Sequence, residues 1–91
     1  MDTAQKLERL LEVCEALDIT VRIESLGGEG GGLCLLKGQR VLFVDADADG
    51  AWQMDTTLSA LAHLPELDRV FLPPALRQAI EARRAADATP P

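Results

Sequence analysis

Two continuous apolar runs, Leu33–Leu36 and Val41–Val44, are separated only by Lys37-Gly38-Gln39-Arg40. A short polar turn between two such runs predicts a β-hairpin. Strands that are apolar on both faces need cover on both sides. The rest of the chain offers three helical patterns. One covered face is therefore expected to belong to a second copy of the protein. The hairpin restricts the fold to the α+β class and points to a homodimer.

The flanking segments complete the outline. Leu7, Leu10, Leu11, Cys14 and Leu17 recur at helical period, with Glu8, Arg9, Glu12 and Glu15 on the other face. Asp2 followed by Gln5 resembles a capping box. Ile19 to Glu24 alternates apolar and polar, as a half-buried strand near a sheet edge does. Gly27-Gly28-Glu29-Gly30-Gly31-Gly32 predicts a mobile loop, because a glycine run loses too much entropy to be a strand interior. A second helix is expected from Gly50 or Ala51, capped by Asp49, with Met54, Leu58, Leu61 and Leu64 inward and Pro65 as its stop. Leu67–Leu72 is a short apolar stretch. Pro73-Pro74 opens a last helix with Leu76 and Ile80 inward. The expected fold is an N-terminal helix, a three-stranded antiparallel meander and two C-terminal helices. A single domain over 1–86 and a frayed tail over 87–91 follow.

Charge and cysteine usage narrow the function classes. The chain has 91 residues and a net charge of −6, from 15 acidic and 9 basic side chains. That balance disfavours nucleic acid and anionic membranes, both of which need a positive partner. Trp52, Phe43 and Phe71 are the only aromatic residues, which argues against a base-stacking platform. Arg77, Arg83 and Arg84 cluster late in a helix, where cations suit the helix dipole. The N-terminus starts an amphipathic helix, and no apolar run approaches a membrane span. A cytoplasmic protein with reduced thiols at Cys14 and Cys34 is expected. Cys14 lies in the apolar stripe of the first helix and reads as a small core residue.

Several constellations are candidates for chemistry. Asp45-x-Asp47-x-Asp49-Gly50 reproduces the opening of an EF-hand calcium loop. The twelfth position is Thr56 where a bidentate glutamate belongs, Asp55 falls one place early, and a strand precedes the loop instead of a helix. The same aspartates suit helix capping. Asp45, Asp47 and Asp49 are thus candidate metal ligands. Cys14, Cys34, His63 and Glu66 include no close pair of the kind structural zinc uses. The glycine run lacks both a P-loop ending and a following helix, so phosphate binding is not indicated. Cys34 with His63 is the one conceivable nucleophile and base. Burial between Leu33 and Leu35 would blunt that thiol, unless the glycine loop leaves one side open. Gly31, Gly32 and Cys34 are the candidate ligand-binding residues. No cofactor is implied.

The run from Leu17 to Leu64 resembles the N-terminal half of the ImmA/IrrE-type zinc peptidases. The likeness lies in ALDITVRIESL, GGGLCLL, QRVLFVDADA and TTLSALAHL, in that order. It implies a compact helix–sheet scaffold over about half the chain. The family's His-Glu-x-x-His motif is missing. In Ala62-His63-Leu64-Pro65-Glu66-Leu67 only His63 matches a ligand, Leu64 replaces the base and Leu67 the second histidine. The chain also resembles short uncharacterised bacterial proteins with a Gly-Leu-Cys strand and a Pro-Pro-Ala-Leu-Arg helix, a likeness that implies no function.

The reading favoured by the sequence is a non-catalytic scaffold or protein-interaction domain that associates with itself or with another protein. One alternative is a small-ligand or metal-binding module at the Gly27–Gly32 and Asp45–Asp49 loops. Another is an enzyme that uses Cys34.

Overall fold

The structure is a computed structural model and describes residues 1–88. Its elements are α1 (Thr3–Ala16), β1 (Thr20–Glu24), β2 (Gly32–Leu36), β3 (Gln39–Asp45), α2 (Gly50–Leu61), a 3-10 turn (Pro65–Arg69) and α3 (Pro74–Ala88). The class is α+β, with a three-stranded sheet. No helix among the described residues is long and apolar enough to cross a membrane.

The sheet is mixed, which corrects the expected antiparallel meander. Its order is β1-β3-β2: β1 runs parallel to β3, and β2 runs antiparallel to it. The physical reason lies in the three strand sequences. β3 buries Val41, Leu42, Val44 and Asp45, and so takes the centre. β2 leaves Cys34, Leu35 and Leu36 exposed, and β1 alternates Arg22 and Glu24 with Val21 and Ile23; both suit an edge. A meander would have placed β2 in the middle. Instead, the segment from Ser25 to Gly31 arches over the end of β3 to join β1 to β2.

The hairpin turn is tighter than its sequence suggested. Leu36 pairs directly with Gln39, so only Lys37 and Gly38 form the turn, and Gln39 and Arg40 belong to β3. Both turn residues have positive φ, 52° and 81°, as a type I′ hairpin demands. Gly38 adopts this freely, whereas Lys37 does so at a cost of about 1 kcal/mol.

The helices lie on one face of the sheet. Leu10, Val13 and Cys14 of α1, Leu58 and Leu61 of α2, Leu67 of the 3-10 turn, and Leu76 and Ile80 of α3 share one core with Leu42 and Val44. Truncating the fully buried Leu42 to alanine would cost about 3 kcal/mol, by analogy with other core leucines. The capping box of α1 is formed. Asp2 accepts from the Gln5 N–H at 2.8 Å, and the Gln5 side chain accepts from the Asp2 N–H at 3.0 Å. Asp18 ends the helix with φ 61°, and the Ile19 N–H donates to the Cys14 carbonyl at 2.8 Å, the closure of a Schellman turn.

The C-terminal half departs from a plain pair of helices. α2 stops at Leu61, ahead of Leu64, and a 3-10 turn opened by Pro65 stands between α2 and α3. Arginines of α3 clasp this region. Arg77 donates to the carbonyls of Leu67 at 3.0 Å and Val70 at 2.9 Å. Arg84 binds the Ala62 carbonyl and the Asp68 carboxylate, and Arg83 pairs with Asp55. The basic cluster therefore serves carbonyls and carboxylates of neighbouring elements, including the Ala62 carbonyl at the C-cap of α2. α3 continues through Asp87 and Ala88, which the sequence reading assigned to the frayed tail. The rest of that tail, 89–91, lies outside the described residues.

Candidate functional site

At the carboxyl end of β3, the buried Asp45 side chain is the hub of the arch between β1 and β2. One of its oxygens accepts from the N–H of Leu26 at 3.0 Å and of Asp47 at 2.9 Å. The other accepts from Gly28 at 2.7 Å and Gly30 at 2.8 Å. Burial pushes this carboxyl up, but the four backbone donors outweigh burial and hold it below the ordinary aspartate range. The glycines are what let the backbone approach. Gly28 has φ +95°, and a Cβ on Gly30 would fall 2.6 Å from Leu26 Cβ. Trp52 Nε1 of α2 donates to the Gly30 carbonyl at 2.9 Å and ties the arch to the helix layer. The glycine run is thus a pinned arch, in place of the mobile loop expected from its composition.

The three aspartates of the calcium-like motif have separate tasks. Asp45 spends its lone pairs on the arch. Asp47 accepts from the Ser25 hydroxyl and from the Gly27 N–H, the latter at 3.1 Å. Asp49 caps α2 through the Trp52 N–H at 2.8 Å. The calcium-loop arrangement is not formed. Among the described residues, no group of three or more His, Cys, Asp or Glu side chains could hold a metal ion.

Gly31, Gly32 and Cys34 do come together. With Leu26 and Phe43 they line a shallow apolar cavity of about 300 Å³ on the sheet face opposite the helices. Strand parity places Cys34, Leu36, Val41 and Phe43 on this outer face, beside Arg22 and Glu24 of β1. The Arg22 guanidinium lies 5.6 Å from the Phe43 ring centroid and 2.6 Å from Glu24. Cys34 is exposed, contrary to the burial expected between two leucines, because β2 is an edge strand whose outer face is uncovered.

The remaining candidates are dispersed. Cys14 is buried in the helix layer, on the other side of the sheet from Cys34, and burial pushes its thiol up to about 11. His63 follows α2 and meets the Asp87 carboxylate of α3 at 2.6 Å, so it stands among the helices, away from the outer face. The structure therefore does not bring Cys34 and His63 together as nucleophile and base. Sequence reasoning found the Gly31, Gly32 and Cys34 cluster and missed the hub role of Asp45. The signal was present: an aspartate at the end of a buried strand, beside a glycine run rich in unpaired N–H groups. Comparison with protein families, with curated proteins and with solved structures finds no match for this chain.

Proposed function

We propose that this protein is a small, non-catalytic protein-interaction domain that self-associates, two copies meeting through their outer sheet faces. The observation that carries this reading is the uncovered face itself. Cys34, Leu36 and Phe43 on the strands and Leu26 on the arch form an apolar patch, and no helix of the described residues packs over it. The chemistry of the face favours a second copy over a charged partner. It carries one cation, Arg22, and one anion, Glu24, on the same strand. A two-fold packing can set each against its opposite in the twin, as an isologous interface requires. The free thiols of Cys14 and Cys34 support a reducing, cytoplasmic setting.

Sedimentation equilibrium over the micromolar range tests the reading. The expected result is twice the chain mass of 9.8 kDa for the parent protein and a monomer for Leu36→Lys. A parent protein that stays monomeric at high micromolar concentration would defeat it.

A second reading rests on the cavity at Gly31, Gly32 and Cys34. Its apolar lining suits a small apolar ligand with a thiol as one wall. A native mass spectrum of protein purified without additives separates the two. An increment of a few hundred daltons would favour the ligand; a bare dimer would favour association.

A further inference from the structure

A second surface lies on the other side of β1. One flank of α1 from Thr3 to Glu15, the edge of β1 and the start of α2 enclose an open groove of about 670 Å³. Its floor is apolar, made by Leu7 and Leu11 of α1 with Val21 and Ile23 of β1. Ile23 is 61% exposed. Its rim is acidic: Glu8, Glu12 and Glu15 follow one another along α1, and among the described residues no lysine or arginine lines the groove. Glu12 also binds Arg9 of its own helix at 2.9 Å, which leaves the rim with an excess of negative charge.

The groove borders a free strand edge. In the parallel ladder with β3, the Glu24 carbonyl accepts from the Ala46 N–H, so Glu24, Arg22 and Thr20 direct their main-chain groups toward β3. By alternation, the N–H and C=O groups of Val21 and Ile23 face outward. The residues whose side chains floor the groove thus also offer the unpaired main chain. From Glu8 to Glu15 the helix rises about 10 Å, the length of about three residues of extended strand.

We infer that this groove binds an extended basic peptide segment of a partner protein, which adds as a strand to β1 and alternates apolar residues with lysine or arginine. Main-chain bonds to Val21 and Ile23 give the register; the alternate lysine or arginine side chains on the helix side of the added strand lay their methylene stems over Leu7 and Leu11 and set their cations against Glu8, Glu12 and Glu15, while the apolar residues fall on the other face. A second copy is a poor occupant, because a two-fold contact here would set one acidic rim against the other. The inference is independent of the self-association reading, since groove and outer face lie on opposite sides of the sheet.

The test is a nitrogen-15 NMR titration of the full chain with the peptide Lys-Val-Lys-Val-Lys-Val-Lys, capped at both ends. Saturable shifts of the Val21 and Ile23 amides are expected. A matched Glu-Val peptide should bind about tenfold or more weakly, and raising the salt to about 500 mM should weaken the basic peptide. The Glu8→Lys, Glu15→Lys double variant, altered only at exposed positions, should lose about tenfold in affinity. Ile23→Pro should remove binding while keeping the β3 ladder, since the lost N–H faces outward. Equal binding of the acidic peptide, shifts confined to Leu36 and Phe43, or no saturable shift up to about 1 mM would each overturn the inference. Shifts of Val21 and Ile23 that grow with protein concentration alone would also overturn it, by assigning the groove to a second copy.

Discussion

Arg40 and Glu66 form a two-pronged ion pair, each prong 2.9 Å long, that ties the central strand to the 3-10 turn. The same guanidinium donates to the Leu17 carbonyl at 2.8 Å, so one side chain holds β3, the end of α1 and the turn before α3. The hydrogen bonds from Arg40 hold the Glu66 carboxyl below its ordinary value of 4.5. A carboxyl depressed in the folded state stabilises fully above its unfolded value and loses that contribution as pH falls through the folded one. Glu66→Gln should lower Tm by about 4 °C at pH 7 and have less effect below pH 4. Thermal melts of both proteins across that range check it.

Asp45→Asn should have a larger effect. The amide has one accepting oxygen where four N–H groups converge, and its own NH₂ would point at donors. A Tm loss of about 10 °C is expected. The amides of Leu26, Gly28 and Gly30 should exchange with solvent much faster, whereas that of Leu42 should keep its rank among the slow amides. The Asp45 carboxyl is also depressed in the fold, so the parent protein should lose arch protection as pH falls below the usual aspartate range. Hydrogen exchange by mass spectrometry reads both effects.

Thr57 lies fully buried in α2, and its hydroxyl has no hydrogen-bond partner among the described residues. A buried, unpaired hydroxyl costs about 1–3 kcal/mol. Thr57→Val keeps the shape and removes the polar atom, so it should stabilise the fold by about 1 kcal/mol. Urea titration, with an unchanged slope, is the measurement.

The two cysteines should react at very different rates. Cys34 is exposed on the outer face, whereas Cys14 is buried with its thiol pushed up to about 11. A disulfide reagent at neutral pH should label Cys34 first, and Cys14 only on unfolding. If the outer face closes on self-association, labelling of Cys34 should slow as protein concentration rises. Two equally fast thiols would contradict this geometry.

What could be read from the residues was local. The periodic leucines of α1, its Asp2 and Gln5 cap, and the runs flanking Lys37-Gly38 each act within a few positions, so their pattern carries their structure. Gly31, Gly32 and Cys34 could be grouped because they are nearly consecutive. Sheet order was another matter. Whether β1 pairs with β2 or β3 is decided by which strand buries most surface and by an aspartate that gathers N–H groups across 15 to 19 positions. Asp-x-Asp-x-Asp-Gly looks the same whether it holds an ion, a loop or a helix end. The arginines of α3 have a local explanation in their own helix dipole, and only the packed chain reveals that they reach 16 to 28 positions back to Asp68, Ala62 and Asp55. The groove was invisible because its floor comes from two elements whose separation no periodicity records.

The strand order has a consequence for how the chain acquires its fold. β1 and β2 never touch through the backbone; each is paired only with β3, the last of the three to be synthesised. Until Gln39 to Asp45 has emerged, the preceding segment holds one helix, two strands without partners, and an arch without its hub. Sheet formation is therefore a single late event, in which the hairpin closes and β1 docks on its far side across about 20 residues of intervening chain. A chain that has not yet released Gln39 to Asp45 leaves both of its earlier strands with unpaired edges, the condition under which an incomplete sheet is most open to wrong pairing.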